Sequence, residues 1–449
     1  MTRVITYGVF DLFHQGHINL LKHAKELGDE LIVGITTDQY AYERGKLTVV
    51  DSLETRMENV RKCPYTDEVI VEDHIGQKVE DILKYNIDIF AIGDDWFGKF
   101  DYLEDYCKVV YLPRTAGISS SILRLEKYPY LRMGIIGAGR IAQRFVKEAG
   151  YVREIQITSV YHPNPDTSAS LARFLGQNTA IAKVRTLPKL FDNCDAVYIA
   201  SPHDTHYAYA KAALEAGRHV LCEKPLALRK KDAVELFRLA SEKGLVLMEG
   251  IKTAYCPGFC RMISLARSGV IGEIHDVEAS FTRLTPPGVR EWTDLKTGGS
   301  FTELGSYVLL PVMKLLGTDN LTWRFESVLN ANGLDTYTRV YLRRQDMLAE
   351  GKCGLGVKSE GELIISGTKG YILAEAPWWK TQYYEVRGEN PAYRQRYSAE
   401  YAEDGLRYEI ADFMYRVQGH AGREDKLTPV ESAKMAEIME DFLAGRNKG

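Results

Sequence analysis

A chain of 449 residues, 45% hydrophobic and 26% charged, has ordinary globular composition and length for two to four domains. Its net charge of −4 excludes broad nucleic-acid binding by counterion release, and no apolar run reaches the ~18 residues of a membrane helix. Seven scattered cysteines do not form a disulfide framework, and Cys256 and Cys260 lack the further ligands of a zinc site. Met1-Thr2-Arg3-Val4 leads straight into a strand pattern instead of a secretion signal, so a cytoplasmic protein is predicted. The charge is unevenly spread: residues 1–128 carry −7 and the remainder +3. An anionic ligand in the first segment must therefore be held by a few placed donors.

In chain order, strands are predicted at 3–7, 30–36, 68–71, 88–92 and 109–112, with helices at 18–27, 52–62, 77–85 and 119–126. This alternation implies a parallel sheet covered on both faces. It stops near Lys127-Tyr128-Pro129-Tyr130, a linker signal. The pattern restarts with a strand at 131–136, a turn at Gly137–Gly139 and a helix at 141–149. It continues through strands at 196–200, 219–222 and 245–249 and helices at 207–216 and 231–243. From about Tyr255 the texture becomes strand-rich, at 274–282, 327–330, 338–342, 353–358, 362–366, 370–374 and 382–387, with few helices. A mostly antiparallel, open sheet is expected there, followed by a helix at 428–443 capped by Thr-Pro-Val-Glu.

Two loops carry chemistry. Gly8-Val9-Phe10-Asp11-Leu12-Phe13-His14-Gln15-Gly16-His17 follows the first strand, at the ligand edge of a parallel sheet, and opens a helix whose bare N–H groups favour a phosphate. Gly137-Ala138-Gly139-Arg140-Ile141-Ala142 is G-x-G-x-x-A between a strand and a helix, the context a dinucleotide turn demands. Lys224, in Glu223-Lys224-Pro225, ends a later strand. Glu303 and Tyr307 are four apart, so they share one face of a helix.

The first motif resembles the signature of the nucleotidyltransferase superfamily, and residues 1–124 resemble bacterial glycerol-3-phosphate cytidylyltransferases. Thr36-Thr37-Asp38, Gly93-Asp94-Asp95-Trp96, Gly98-Lys99-Phe100-Asp101 and Arg114-Thr115-Ala116-Gly117-Ile118-Ser119 add to the likeness. The resemblance implies attack of a phosphate oxygen on the α-phosphorus of CTP. It gives His14 and His17 the α/β-phosphates, Lys46 the transition-state charge, and Arg114 with the helix start at Ser119, Ser120 and Ser121 the β/γ-phosphates, with Thr115 and Ile118 also at the CTP site. Gly8, Phe10 and Asp11 would line the CTP loop, with Asp11 helping to place Mg²⁺. Asp94 and Trp96 would meet the cytosine, and Arg56 the incoming phosphate. Arg44 stands near the place of a second lysine common in the family.

The segment from residue 131 onward resembles the glucose–fructose oxidoreductase and inositol dehydrogenase family, through the glycine turn, Ser201-Pro202-His203-Asp204-Thr205-His206 and Glu223-Lys224-Pro225. That resemblance implies a cofactor site at Gly137, Gly139, Arg140, Ile141, Ser201, His203, His206, Glu223 and Lys224, with Lys224, Tyr307 and Glu303 at the chemistry. Lys224 is expected to lower the Tyr307 phenol pKa so that it protonates an alkoxide. Ser159–Asn164, where a ribose-binding carboxylate would stand, has none, so NADP(H) is favoured over NAD(H).

The predicted fold is α/β: a Rossmann-like nucleotidyltransferase domain over 1–128 and an NAD(P)-binding Rossmann domain over 129–254. An α+β substrate and oligomerisation domain over 255–449 would send its last helix back to the Rossmann domain. The expected function is synthesis of a CDP-activated polyol from CTP and a polyol phosphate, glycerol phosphate favoured, itself made by reducing its carbonyl precursor. Alternatives reverse the order, change the polyol to ribitol, or make the second part a silent cofactor-binding module. Teichoic-acid-like or capsular polymers would consume the product. A homo-oligomer is expected, with neither nucleic acid nor membrane as partner.

Overall fold

The computed structural model describes residues 1–43, 49–74, 76–113, 130–152, 154–166, 168–399, 401–420 and 426–446. The chain forms two compact units, Met1–Tyr130 and Leu131–Gly449. The expected helix at 119–126 lies outside the described residues.

In the first unit, β1 (Arg3–Gly8), β2 (Glu30–Thr36), β3 (Glu68–Glu72), β4 (Ile89–Gly93) and β5 (Lys108–Leu112) form a parallel sheet in the order β3-β2-β1-β4-β5. Helices Gln15–Lys25, Leu53–Arg61 and Gln77–Tyr85 occupy the connections. Alternate residues of β1 serve opposite faces: Val4 packs with Leu21, Val33 and Val60, while Ile5 and Tyr7 pack with Ile82, Phe90 and Phe100. Burial on both faces is why the apolar residues of β1 and β2 come in consecutive runs, Val4-Ile5 and Leu31-Ile32-Val33, rather than in alternation.

In the second unit, β6 (Leu131–Ile136), β7 (Ile155–Tyr161), β8 (Ala182–Val184), β9 (Ala196–Ile199), β10 (His219–Glu223) and β11 (Leu247–Gly250) form a parallel sheet in the order β11-β10-β9-β6-β7-β8. The next sheet comprises β12 (Ile274–Thr282), β13 (Thr322–Leu329), β14 (Asp335–Arg344), β15 (Met347–Gly354), β16 (Leu363–Gly367), β17 (Gly370–Ala374), β18 (Tyr383–Gly388) and β19 (Arg394–Ser398). Its order is β13-β14-β15-β12-β16-β17-β18-β19, antiparallel except for the β12–β15 pair.

This region differs from the sequence expectation in three respects. Two helices that were not expected flank the strands, Pro257–Arg267 before β12 and Leu406–Val417 after β19, while the helix expected to carry Glu303 and Tyr307 spans Ser300–Leu316 between β12 and β13. The first was hidden by Pro257-Gly258, a pair that reads as a breaker yet fits a first helical turn, where the missing proline N–H is not needed. The strand expected at 353–358 is β15, displaced toward the N-terminus, because Met347-Leu-Ala-Glu-Gly has little β-branched character. Edge strand β19 was not anticipated; its Arg394, Gln395 and Arg396 are exposed.

Helix Ser300–Leu316 lies on β12, β14 and β15, and helix Pro429–Arg446 packs on both it and helix Lys230–Glu242. These shared helices make 131–449 one compact unit. Among the described residues no helix is long and apolar enough to cross a membrane.

Candidate active sites

The phosphate loop of the first unit leaves the C-terminal end of β1, the central strand. Successive connections run from β1 to opposite sides of the sheet, so the ends of β1 and β4 border a topological switch point, where α/β sheets bind ligands. The loop folds tightly, with Phe10 and Leu12 both at positive φ. His14 caps helix Gln15–Lys25: its Nδ1 accepts the Gly16 N–H at 3.0 Å and its carbonyl accepts the His17 N–H at 2.9 Å. Because Nδ1 accepts, a neutral His14 carries its proton on Nε2 and presents a donor there. The His14 and His17 rings stack at 3.9 Å, and Phe10 meets His17 edge-on at 5.2 Å.

Asp94 and Trp96 form a short turn directly after β4, beside the loop that follows β1. Trp96 is 39% exposed, with the Lys99 ammonium 5.1 Å from its ring centroid and Phe100 tilted against it at 5.8 Å. Asp11 and Arg56 depart from their expected roles. Asp11 is buried, and its Oδ1 accepts the N–H groups of Val50 at 2.9 Å and Asp51 at 3.0 Å. Its Oδ1 thus clamps the loop to the segment before helix Leu53–Arg61. Arg56 is fully buried: it donates to the carbonyls of Asp51, Val9 and Thr36 and pairs with Asp38. It joins the C-terminal ends of β1 and β2, with its donors engaged by these groups. Arg44, Lys46, Arg114, Thr115, Ile118, Ser119, Ser120 and Ser121 lie outside the described residues.

In the second unit the dinucleotide turn follows β6, again the strand beside the switch point. Gly137 has φ +98°, and a Cβ there would sit 2.5 Å from the Ala200 carbonyl oxygen, so only glycine fits. Gly139 opens helix Arg140–Ala149, and no Cβ placed there meets any atom within 4 Å, which leaves space for a pyrophosphate over the helix start. The Gly137–Gly139 turn thus fits a dinucleotide; Ile141 lies in the first turn of the helix it opens, and Ser201 accepts the Thr205 hydroxyl at 2.7 Å. The Arg140 side chain instead reaches Glu291 at 2.7 Å. His206 is buried with its ring nitrogens 2.8 Å from the Pro225 oxygen and 2.9 Å from the Ser201 oxygen. It ties together the loops after β9 and β10 rather than meeting a cofactor.

Lys224 stands at the end of β10, before a cis-proline. Its Nζ donates to the Glu303 carbonyl oxygen at 2.8 Å and lies 3.5 Å from Glu303 Oε1. Glu223, behind it, accepts the Tyr198 hydroxyl at 2.6 Å. His203 is buried 3.7 Å from Glu303 Oε2, and burial, then Lys224 and Arg290, push its pKa well below the usual histidine range, so it stays neutral.

The Tyr307 phenol shifts opposite to the direction expected from Lys224. Its ammonium lies 5.9 Å from the ring centroid, and burial first, then the carboxylates of Glu223, Glu409 and Glu303, push the phenol well above its ordinary value. Tyr307 is a protonated phenol at any physiological pH. Its helix is held from across the sheet: Asp335 on β14 accepts the Ser300 hydroxyl at 2.6 Å and the Phe301 N–H at 2.7 Å.

Sequence reasoning missed two basic groups. Arg283, just after β12, and Arg290 each approach Glu303 to 3.5 Å. Arg185 and Lys183 border the end of β7 through β8, both paired with Asp166. Neither group has a local motif; only strand pairing or helix placement brings it to its site.

A cytidylyltransferase-like family model matches residues 5–128, and a model for the NAD-binding Rossmann fold of an oxidoreductase family matches residues 131–251. Glycerol-3-phosphate cytidylyltransferase of Bacillus subtilis (strain 168) is 52% identical over 126 residues, 28% of this chain and 97% of that protein. A scyllo-inositol 2-dehydrogenase (NADP(+)) of the same organism is 31% identical over 195 residues, 42% of this chain and 58% of that protein. Among solved structures, a 3-ketoreductase from Actinomadura kijaniata in complex with NADP and TDP-benzene superposes with a TM-score of 0.60 at 23% identity, covering 69% of this chain and 96% of that one. That last likeness shows the fold.

Proposed function

From a chain whose first unit belongs to the glycerol-3-phosphate cytidylyltransferase family, fused to an oxidoreductase of the NAD-binding glucose–fructose oxidoreductase and inositol dehydrogenase type, we propose a bifunctional enzyme that makes a CDP-activated polyol. One half reduces a small phosphorylated carbonyl compound to a polyol phosphate, glycerol phosphate by preference. The other joins that phosphate to CMP. The observation that carries this reading is that the histidine loop of the first unit and the glycine turn of the second each follow the strand beside their own sheet's switch point and open a helix.

In the transferase half, a polyol-phosphate oxygen bonds to the α-phosphorus of CTP and the bond to the β-phosphate breaks, releasing pyrophosphate. The helix start and the His14–His17 pair stabilise charge on the phosphate oxygens, and in-line placement does the rest. Trp96 and Asp94 receive the cytosine, which favours CTP over ATP.

In the redox half, a bound nicotinamide cofactor would supply the hydride. Lys224, steadied by Glu303, orients the carbonyl oxygen. Tyr307, kept protonated, gives its proton to the alkoxide, and the phenolate recovers one from solvent as product leaves. Arg185 and Lys183, one strand over from the ribose end, support NADP(H) over NAD(H). Fusion raises the local concentration of the intermediate without any new contact.

Mass spectrometry of products from CTP, NADPH and a panel of phosphorylated carbonyl compounds tests this. His17→Ala should lose cytidylyl transfer by orders of magnitude while oxidising NADPH normally. Lys224→Met should do the reverse, and Arg185→Ala should erase the preference for NADPH. A wild-type chain that turns over no carbonyl compound would make the second unit a silent module. One that acts only on CDP-linked carbonyls would reverse the order of steps.

A further inference from the structure

Four cations, Arg140, Lys224, Arg283 and Arg290, surround Glu303 and Glu291 at the redox site, and the arginines are not used up by that pairing. Arg283 donates through Nε to the Thr285 hydroxyl at 3.1 Å and through Nη2 to Glu291 at 3.2 Å. Arg290 donates through Nη1 to the Thr297 hydroxyl at 3.2 Å and lies 3.5 Å from Asp294, while its Nη2 is 3.4 Å from His203 Nε2. Toward Glu303 both guanidinium groups stop at 3.5 Å, beyond an ordinary charge-assisted hydrogen bond. Each is about one-third exposed, at 37% and 34%, whereas Lys224 beside them is 10% exposed.

Geometry ties these groups to the reaction. Lys224 Nζ and Arg283 Nη2 each lie 3.5 Å from the same oxygen of Glu303, so they are within twice that distance of each other. Arg290 stands the same distance from the second oxygen. A carbonyl oxygen at Lys224 would therefore leave a substituent on the neighbouring carbon within reach of both forks. Two planar forks with spare N–H groups match the oxygens of a phosphate. His203, neutral between them, adds no repulsion to a second cation.

We infer that Arg283 and Arg290 form an oxyanion clamp that selects carbonyl substrates bearing a phosphate close to the carbonyl group. This rests on the redox reading above and deepens it. Glu303 holds the forks apart in the free protein, and the phosphate bridges them when substrate enters. The phosphate could belong to a monoester or to the diphosphate of a nucleotide-linked compound.

The test compares phosphorylated carbonyl compounds, their dephosphorylated counterparts and a CDP-linked carbonyl in NADPH oxidation by the full chain, wild type, Arg283→Gln and Arg290→Gln. Each variant should raise KM for phosphorylated substrates about 10–100-fold, the worth of a charge-assisted hydrogen bond, with little change in kcat. Reaction with the dephosphorylated counterparts should be unaltered, and inorganic phosphate should inhibit wild type but not the variants. An effect on monoesters identifies the free sugar phosphate, and one on the CDP-linked compound alone identifies the diphosphate. Equal losses with and without phosphate would overturn the clamp. If the wild type reduces no carbonyl compound, the redox reading fails separately. Calorimetric titration with inorganic phosphate then decides: weaker binding by the double variant retains the clamp, and identical binding removes it, since the N-terminal unit contributes equally to both chains.

Discussion

Glu249 shows how a single buried carboxyl can make this enzyme sensitive to pH. It lies on β11 opposite Cys222 of β10, and its Oε1 accepts the Leu226 N–H at 3.0 Å, fastening the chain just past Lys224-Pro225. Burial pushes its pKa up to about 7, with the Glu223 charge adding to the effect. A folded-state pKa above the unfolded one means that the native chain holds the extra proton between roughly pH 4.5 and 7. Its stabilising share is thus complete below that window and lost as pH rises through it, worth at most about 3 kcal/mol. Glu249→Gln, neutral at every pH, should unfold at higher denaturant concentration than wild type at pH 8 and at a similar one at pH 5. Parallel pH–stability curves for the two proteins would show that Glu249 does not titrate in this range.

At the scale of an element, helix Ser300–Leu316 carries both Glu303 and Tyr307, and its start is set by residues far away in sequence. Gly299 has φ +103°, and a Cβ there would fall 2.0 Å from Asp335 Oδ1. Asp335 is fully buried, accepts from the first helical turn and pairs with Arg446 at 3.4 Å. A carboxylate at a helix N-terminus is also favoured by the aligned peptide dipoles. Asp335→Ala should cost about 2–4 kcal/mol by stranding the Ser300 hydroxyl and the Phe301 N–H, and should lower kcat for carbonyl reduction more than it raises KM. Cytidylyl transfer by the same protein should be untouched, and a matching loss there would show that the damage is not local to this helix.

This helix also marks where sequence reading succeeds and where it stops. The loop from Gly8 to His17 is contiguous, so its glycines, histidines and helix start can be read from the string alone. Glu303 and Tyr307 were legible for the same reason, being one helical turn apart. The protonation of Tyr307 was not, because it depends first on burial and then on the charges of Glu223 and Glu409, which come near the phenol only in the folded chain. Arg56 misled in the same way: its type suits a phosphate, but the fold spends its donors on three carbonyls.

For the whole molecule, the division at Tyr130–Leu131 has a thermodynamic signature. A ligand stabilises only the cooperative unit that binds it, by about 2.7 kcal/mol at a hundred times its Kd. Calorimetry should resolve two transitions, with CTP raising one Tm and NADPH the other. If either ligand moves both transitions together, the units melt as one and the division is only geometric.

Arg446 adds a consequence in the order of synthesis. Its guanidinium donates to the carbonyls of Leu295, Lys296 and Gly298, at 3.1, 2.9 and 2.7 Å, besides pairing with Asp335. The turn that launches the Glu303–Tyr307 helix is thus closed by a residue the ribosome adds long after Met1–Tyr130 is free to fold. A nascent chain would gain its transferase site early and its reductase site only as the last helix docks. A premature stop shortly before Arg446 should therefore leave a protein that keeps cytidylyl transfer and loses its oxidoreductase activity.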